Sequence, residues 1–270
     1  MSHKTTDAHT YDEIIYFIRS MNSTNNKPSG HAFHYEVEDR IKNKGWEIKS
    51  ELSYLDDVEH KPRKVDIVAL QERESFNPRG NKLALIVECK YLEHDVTLWM
   101  RDNARDHGTY FIDGYNTNEL FHNDSRFHFF TTDKVAVNME ERKVGKNSLY
   151  EAVMQASKAM MYLRQGGQLL HTKGLFYPMV IYKGVGKITD QDNNVLKNTL
   201  YHHYYEWRDT KTQVTSRRSV YVDIIHETCL EEYLNNVYKE EMDTLMNHVF
   251  FKQRMQENKQ RQQKRGNIGL

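Results

Sequence analysis

The sequence predicts an α/β domain, a mixed central β-sheet flanked by α-helices. Two apolar, β-branched runs of strand length, 64–70 and 83–91, flank a polar stretch ending in Asn77–Pro78–Arg79–Gly80–Asn81. That is turn chemistry, and it predicts a hairpin of two adjacent antiparallel strands. Two helical patterns, at 31–44 and 148–163, bracket the hairpin, and more strand-like runs follow at 175–182, 199–207 and 219–225. Mixed strands and helices in this order are the signature of a layered α/β sheet.

Taken in order, residues 1–29 read as an N-terminal helix and loop. Thr10–Tyr11–Asp12–Glu13 forms a capping box, and Ile14, Ile15, Phe17 and Ile18 follow it. A helix is predicted from about His31 to Lys44, with Phe33, Val37 and Ile41 on one stripe and Gly45 at C′. Residues 46–52 alternate as an edge strand. Asp56, Asp57 and Glu59 form an acidic loop, and Lys61–Pro62–Arg63–Lys64 form a basic cluster, read either as a phosphate contact or as a solvated loop. The run up to Val87 is apolar on both faces, so it is expected to be an interior strand.

Each of the two central strands carries acid where an interior strand should be apolar. Side chains alternate along a strand, so Glu88 and Lys90 share one face and Cys89 takes the other. Asp66 can face that pair from the neighbouring strand. Two carboxylates drawn together raise a pKa unless a cation lies between them. A hard divalent ion satisfies them, and Mg²⁺ needs only one or two carboxylates besides water and phosphate.

Asp66, followed by Glu88–Cys89–Lys90 at the end of an apolar strand, resembles the PD-(D/E)XK nuclease superfamily, the restriction-endonuclease-like fold. Val65 stands where the Pro of the family name would be. The resemblance implies that Asp66 and Glu88 bind Mg²⁺, that the carbonyl of Cys89 adds a ligand and that Lys90 helps to activate water. It also implies a Glu from the first core helix as a further metal or water partner. Glu38 is favoured for that role, with Glu36 as the alternative. A Gln on the helix after the Glu-x-Lys strand is carried over as Gln155, with Lys158 as a neighbouring phosphate contact. The implied function is Mg²⁺-dependent hydrolysis of DNA phosphodiester bonds, in the manner of a type II-like restriction endonuclease acting as a homodimer. The alternative is a non-catalytic nucleic-acid-binding or assembly subunit on the same fold. An enzyme acting on RNA is a third reading.

The remaining chain is read around that core. Residues 30–230 form the nuclease domain, with an insertion at 93–147. Its aromatics and its Arg101, Arg105 and Arg126 suggest either a recognition loop or a packed cap, with short strands at 127–130 and 134–137. Ser148–Leu149–Tyr150–Glu151 is a second capping box, opening a helix with Leu149, Val153, Ala156, Met160 and Leu163 on one face. Pro178 suggests a strand start or bulge. His202 and His203 face opposite sides of a strand, which rejects a shared zinc site. Thr228–Cys229–Leu230–Glu231 opens a long C-terminal helix, and residues 231–270 are treated as that helix and a basic tail.

Lys plus Arg and Asp plus Glu are equal at 38 each in 270 residues, which argues against a strongly basic nucleic-acid coat. Two cysteines allow no zinc spacing or disulfide framework, so a reduced interior is expected. No apolar run approaches membrane-spanning length, and a cytoplasmic protein without membrane contact is expected.

Overall fold

A computed structural model describes residues 30–49, 52–56, 61–72, 82–104, 112–113, 127–142, 147–164, 174–208, 215–241 and 243. The predicted helix at 10–21, the turn at 77–81, Arg105, Arg126, the end of the predicted C-terminal helix and the basic tail lie outside them.

The strands are β1 Glu47–Lys49, β2 Ser53–Leu55, β3 Pro62–Lys64, β4 Ile67–Glu72, β5 Lys82–Leu92, β6 Val96–Asp102, β7 Ile112–Asp113, β8 Lys134–Glu141, β9 Gly174–Gly184, β10 Ile188–Asp190, β11 Asn198–Arg208 and β12 Thr215–His226. Helix α1 is Gly30–Asn43, α2 is His128–Thr131 and α3 is Ser148–Arg164. Ten strands form one mixed sheet in the order β1-β4-β5-β9-β12-β11-β8-β6-β10, with β7 on β9; β2 and β3 make a separate antiparallel pair. The chain is thus a mixed α/β fold around a large mixed sheet. Among the described residues no helix is long and apolar enough to cross a membrane.

The sheet is covered on both faces. Phe33, Val37 and Ile41 of α1 pack on one face, against Ile67, Ala69, Leu85, Val87 and Met179. On the other, Leu149, Val153, Ala156, Met160 and Leu163 of α3 meet Val68, Leu70, Ala84, Ile86 and Val180. The alternation of β4 and β5 between these two layers is what a doubly covered interior strand requires. Strand β5 runs antiparallel to β4, with Ile67 opposite Val87. It runs parallel to β9, with Lys90 beside Tyr182. Helix α1 ends close to the predicted Gly45, whose φ of +83° is the left-handed conformation glycine accepts at low cost.

Several expectations need correction. The described parts of 93–147 are not loop alone: β6 and β8 extend the central sheet. Arg101 is engaged there, with Nη2 3.0 Å from His202 Nδ1. Residues 127–130 are not a strand. They enter α2, because His128 is drawn into a buried carboxylate clamp described below. Pro178 is not at a strand start but inside β9, next to Ile86. It falls between the β7 pairing at Leu175 and the β12 pairing from Met179, so only one ladder is at stake. Asn147, rather than Ser148, caps α3: its Oδ1 accepts from Tyr150 N at 3.0 Å. Ser148 N donates instead to Glu141 Oε2 at 2.5 Å.

The C-terminal segment is not a regular helix from Thr228. It opens with a 3-10 turn, Glu227–Cys229, capped by the His226 ring, which accepts from Thr228 N. One α-turn, Leu230–Glu232, leads into a π-type segment, Tyr233–Val237. Leu230, Leu234 and Tyr238 are buried in the α1-side core, so the segment through Glu241 packs on the same domain. The wide turn places the Tyr233 and Tyr238 rings edge-on, 5.8 Å apart.

Glu241 and Asp223 hold His128 between them. Nδ1 is 2.5 Å from Glu241 Oε1 and Nε2 is 2.9 Å from Asp223 Oδ1. The His128 main-chain N–H also donates to Glu241, at 2.7 Å. Tyr177 OH donates to the second Glu241 oxygen, and Tyr238 OH donates to Asp223 Oδ2 at 2.9 Å. Burial alone would lower the pKa of His128, but the two carboxylates together outweigh it and raise it to about 10. His128 is therefore an imidazolium donating from both nitrogens.

A raised histidine pKa stabilises the fold fully below the unfolded value near 6.5, and this contribution fades as pH rises towards 10. His128→Phe, which leaves two buried carboxylates uncompensated, should cost about 3–5 kcal/mol in denaturant unfolding at neutral pH. The wild-type melting temperature should also fall between pH 7 and pH 10. A variant as stable as wild type would show the clamp to be dispensable.

Candidate active site

The candidate site lies at the C-terminal half of β5, on the face covered by α3. The β2–β3 pair delivers the chain to it. Val65 N donates to Leu52 O at 2.9 Å, and the chain then turns through Asp66 into β4. Extending the β4–β5 register by one residue sets Asp66 opposite Glu88. The Asp66 side chain is anchored on β5, its Oδ2 accepting from Cys89 N at 2.8 Å. The Asp66 carboxyl lies within hydrogen-bonding reach of Glu88.

Glu88 is 6% exposed, and among the described residues its buried Oε1 has no hydrogen-bond partner. Burial pushes its pKa well above the carboxylate range, and the nearby Asp66 charge pushes it further. The Lys90 ammonium and the Asp66 main-chain N–H pull the other way without cancelling this. The two carboxyls lie within hydrogen-bonding reach, and a buried carboxyl beside a second acid is relieved by a cation between them. Lys90 is half-buried, and its ammonium has no ion pair among the described residues.

Cys89 takes the opposite face and packs against the α1-side core. Burial, then Asp66, Glu88 and Glu38, push its thiol well up, so it stays protonated and is a poor thiolate ligand or nucleophile. Glu38 approaches the site from α1, on the Cys89 side, where its Oε2 lies 3.6 Å from His34 Nε2. Glu36 is turned away and pairs with Lys183 Nζ at 2.5 Å. Among the described residues no three His, Cys, Asp or Glu side chains converge as a metal-ligand set. The structure thus joins Asp66, Glu88 and the Cys89 backbone, with Lys90 beside them, and leaves Glu38 and Glu36 apart.

Gln155 and Lys158 lie on α3, the helix that covers this face, but line a cleft beside the β2–β3 pair. Lys158 is occupied: its Nζ donates to Asp56 at 2.9 and 2.8 Å, and Arg63 Nε lies 3.3 Å from the same carboxylate. Asp56, expected in an acidic loop, follows β2 and is buried, at 1% exposed. The His128–Asp223–Glu241 clamp was equally absent from the sequence reading. Its members stand 95 and 113 residues apart, and no local spacing signals them.

The residues fit a divalent ion by donor type. Two hard oxygen carboxylates meet at one spot, one with a bare buried oxygen, and Mg²⁺ asks for no third carboxylate. Comparison with protein-family models, with curated proteins and with solved structures found no match to this chain.

A buried carboxyl whose folded pKa is raised stabilises the fold below its unfolded value, near 4.3, and that contribution is lost as pH rises through the folded value. Glu88→Gln, which stays neutral, should therefore be more stable than wild type in chelator at neutral pH, by roughly 1–3 kcal/mol, the scale of an unsatisfied buried polar group. The gap should widen with pH. A variant less stable than wild type at pH 8 would show that Glu88 is not the strained group.

Proposed function

We propose that this chain is a metal-dependent nuclease of restriction-endonuclease-like fold that hydrolyses DNA phosphodiester bonds. The observation that carries this reading is the bare, buried Glu88 oxygen beside the anchored Asp66 carboxylate, with Lys90 two residues along the same strand face. A structural ion pair would have no reason to bury a second carboxylate against the first.

Asp66 and Glu88 would hold the Mg²⁺, which when bound neutralises charge on the phosphate. Asp66 is fixed by Cys89 N, so its carboxylate is held beside Glu88 with little reorganisation. Burial and Asp66 raise the Glu88 pKa, so a cation held there would compete with a proton and its binding would be coupled to pH. Lys90 would orient the attacking water or donate to a phosphate oxygen, as a half-buried ammonium with no ion pair among the described residues can. A dimer of such chains would cut both strands, in the manner of a type II-like restriction endonuclease.

A non-catalytic nucleic-acid-binding subunit on the same fold is the second reading. The separation of Glu38 from the carboxylate pair favours it, since the implied third acidic partner is not in place.

Mg²⁺ at a hundredfold excess over its Kd should stabilise wild type by about 2.7 kcal/mol and leave Asp66→Ala and Glu88→Ala unmoved. The apparent Mg²⁺ affinity should rise with pH. On plasmid and linear DNA, wild type should cut with Mg²⁺ and not with chelator. Asp66→Ala, Glu88→Ala and Lys90→Ala should each lose at least about a hundredfold while remaining folded. Matched RNA and DNA strands compare the substrates. DNA retained without cutting in any divalent metal would replace the nuclease with the binding subunit.

A further inference from the structure

A cleft of about 400 Å³ lies between the β2–β3 pair and the N-terminal half of α3. This volume is at the lower end of the range for small-molecule sites, about 300–1,000 Å³. Its base is built: the Asp56 carboxylate, 1% exposed, is clamped by Lys158 and Arg63. Its remaining lining is amphipathic, with the exposed ring of Tyr150, the thioether of Met154, the Glu151 carboxylate and the Gln155 amide. Among the described residues the Gln155 amide has no hydrogen-bond partner, although the residue is half-buried.

The charges decide what such a cleft can take. Asp56 and Glu151 balance Arg63 and Lys158, and both cations already face Asp56. A phosphate would have to compete with a buried carboxylate for them. A neutral, planar ring with donors and acceptors on its edge suits the lining better. An amide matches such an edge through paired hydrogen bonds, and an aromatic ring offers a face to stack on.

We propose that this cleft is a nucleobase pocket, with Gln155 reading the edge of the base and Tyr150 covering its face. It rests on the nuclease reading for its source of bases. Arg63 precedes Asp66 by three residues, at most about 11 Å of extended chain. Successive nucleotides advance about 3.4 Å along a strand, so a base within about three nucleotides of the scissile phosphate reaches the cleft. Gln155 would then set sequence preference rather than take part in hydrolysis.

The test uses the full chain and the four uncharged deoxynucleosides, titrated in chelator and followed by amide chemical shifts, with inorganic phosphate as competitor. At least one nucleoside should bind in the millimolar range, shifting the amides around Tyr150 and Gln155. Gln155→Ala should weaken it by about tenfold or more while the fold is kept, alanine being a good helix former. Phosphate should not displace it. On plasmid DNA with Mg²⁺, Gln155→Ala should change which sites are cut. No nucleoside binding, or equal binding by wild type and Gln155→Ala, would overturn the pocket. Displacement by phosphate would overturn it too, in favour of an anion site. Nucleoside binding without any Mg²⁺-dependent cutting would leave the pocket standing and remove the nuclease.

Discussion

The candidate site depends on one constraint: β5 is buried on both faces. An interior strand flanked by β4 and β9, with α1 above and α3 below, gives a carboxylate at Glu88 little water to turn to. A charge in that position is tolerated only with a partner. Asp66, the nearest group, is itself acidic and is fixed by Cys89 N, so it raises the difficulty. The fold has stored an electrostatic conflict at one place, and such conflicts are where chemistry is found. The same double burial explains why Cys89 is inert, since its thiol faces packed side chains.

A second conflict is resolved inside the domain. Asp223 and Glu241 are both 1% exposed, yet His128 lies between them and two tyrosine hydroxyls complete the set. Every acceptor there has a donor, and there is no bare oxygen to offer a ligand. The contrast with Glu88 is instructive, because each site brings two carboxyls together, and at the second one of them, Glu88, is buried. In one, a protonated ring supplies the cation, which makes it a fastener joining α2, β12 and the C-terminal segment. In the other, the Lys90 ammonium lies nearby without cancelling the burial of Glu88, and among the described residues one Glu88 oxygen has no donor. Physical satisfaction, rather than residue type, separates a structural cluster from a candidate active site.

Much of the central unit was legible. Strands β4, β5 and β9, helices α1 and α3, and the faces of Asp66, Glu88 and Lys90 followed from period-2 and period-3.6 patterns. The first helix ended within a residue of expectation because Gly45 provides the left-handed C′ position. The reading failed where a partner came from afar. Asp56 reads as loop acid until Lys158, 102 residues on, is brought against it. Residues 93–147 read as an insertion because neither β6 nor β8 reveals that it joins the same sheet. Phe127–Phe130 has strand composition, but His128 is held by groups that arrive much later in the chain.

By itself the sequence determined the periodic elements and the identity of the acidic pair, since alternation along a strand is a local property that needs no partner. Only the tertiary structure decided which charges are satisfied. Lys158 is committed to Asp56, Glu36 to Lys183 and Glu38 to the His34 side of α1, while Glu88 keeps a bare oxygen. These outcomes turn on contacts between segments far apart in the chain, and they are set by packing rather than spacing. A desolvated carboxylate and a solvated one are the same letter in a sequence, and burial against particular neighbours makes them different chemistry.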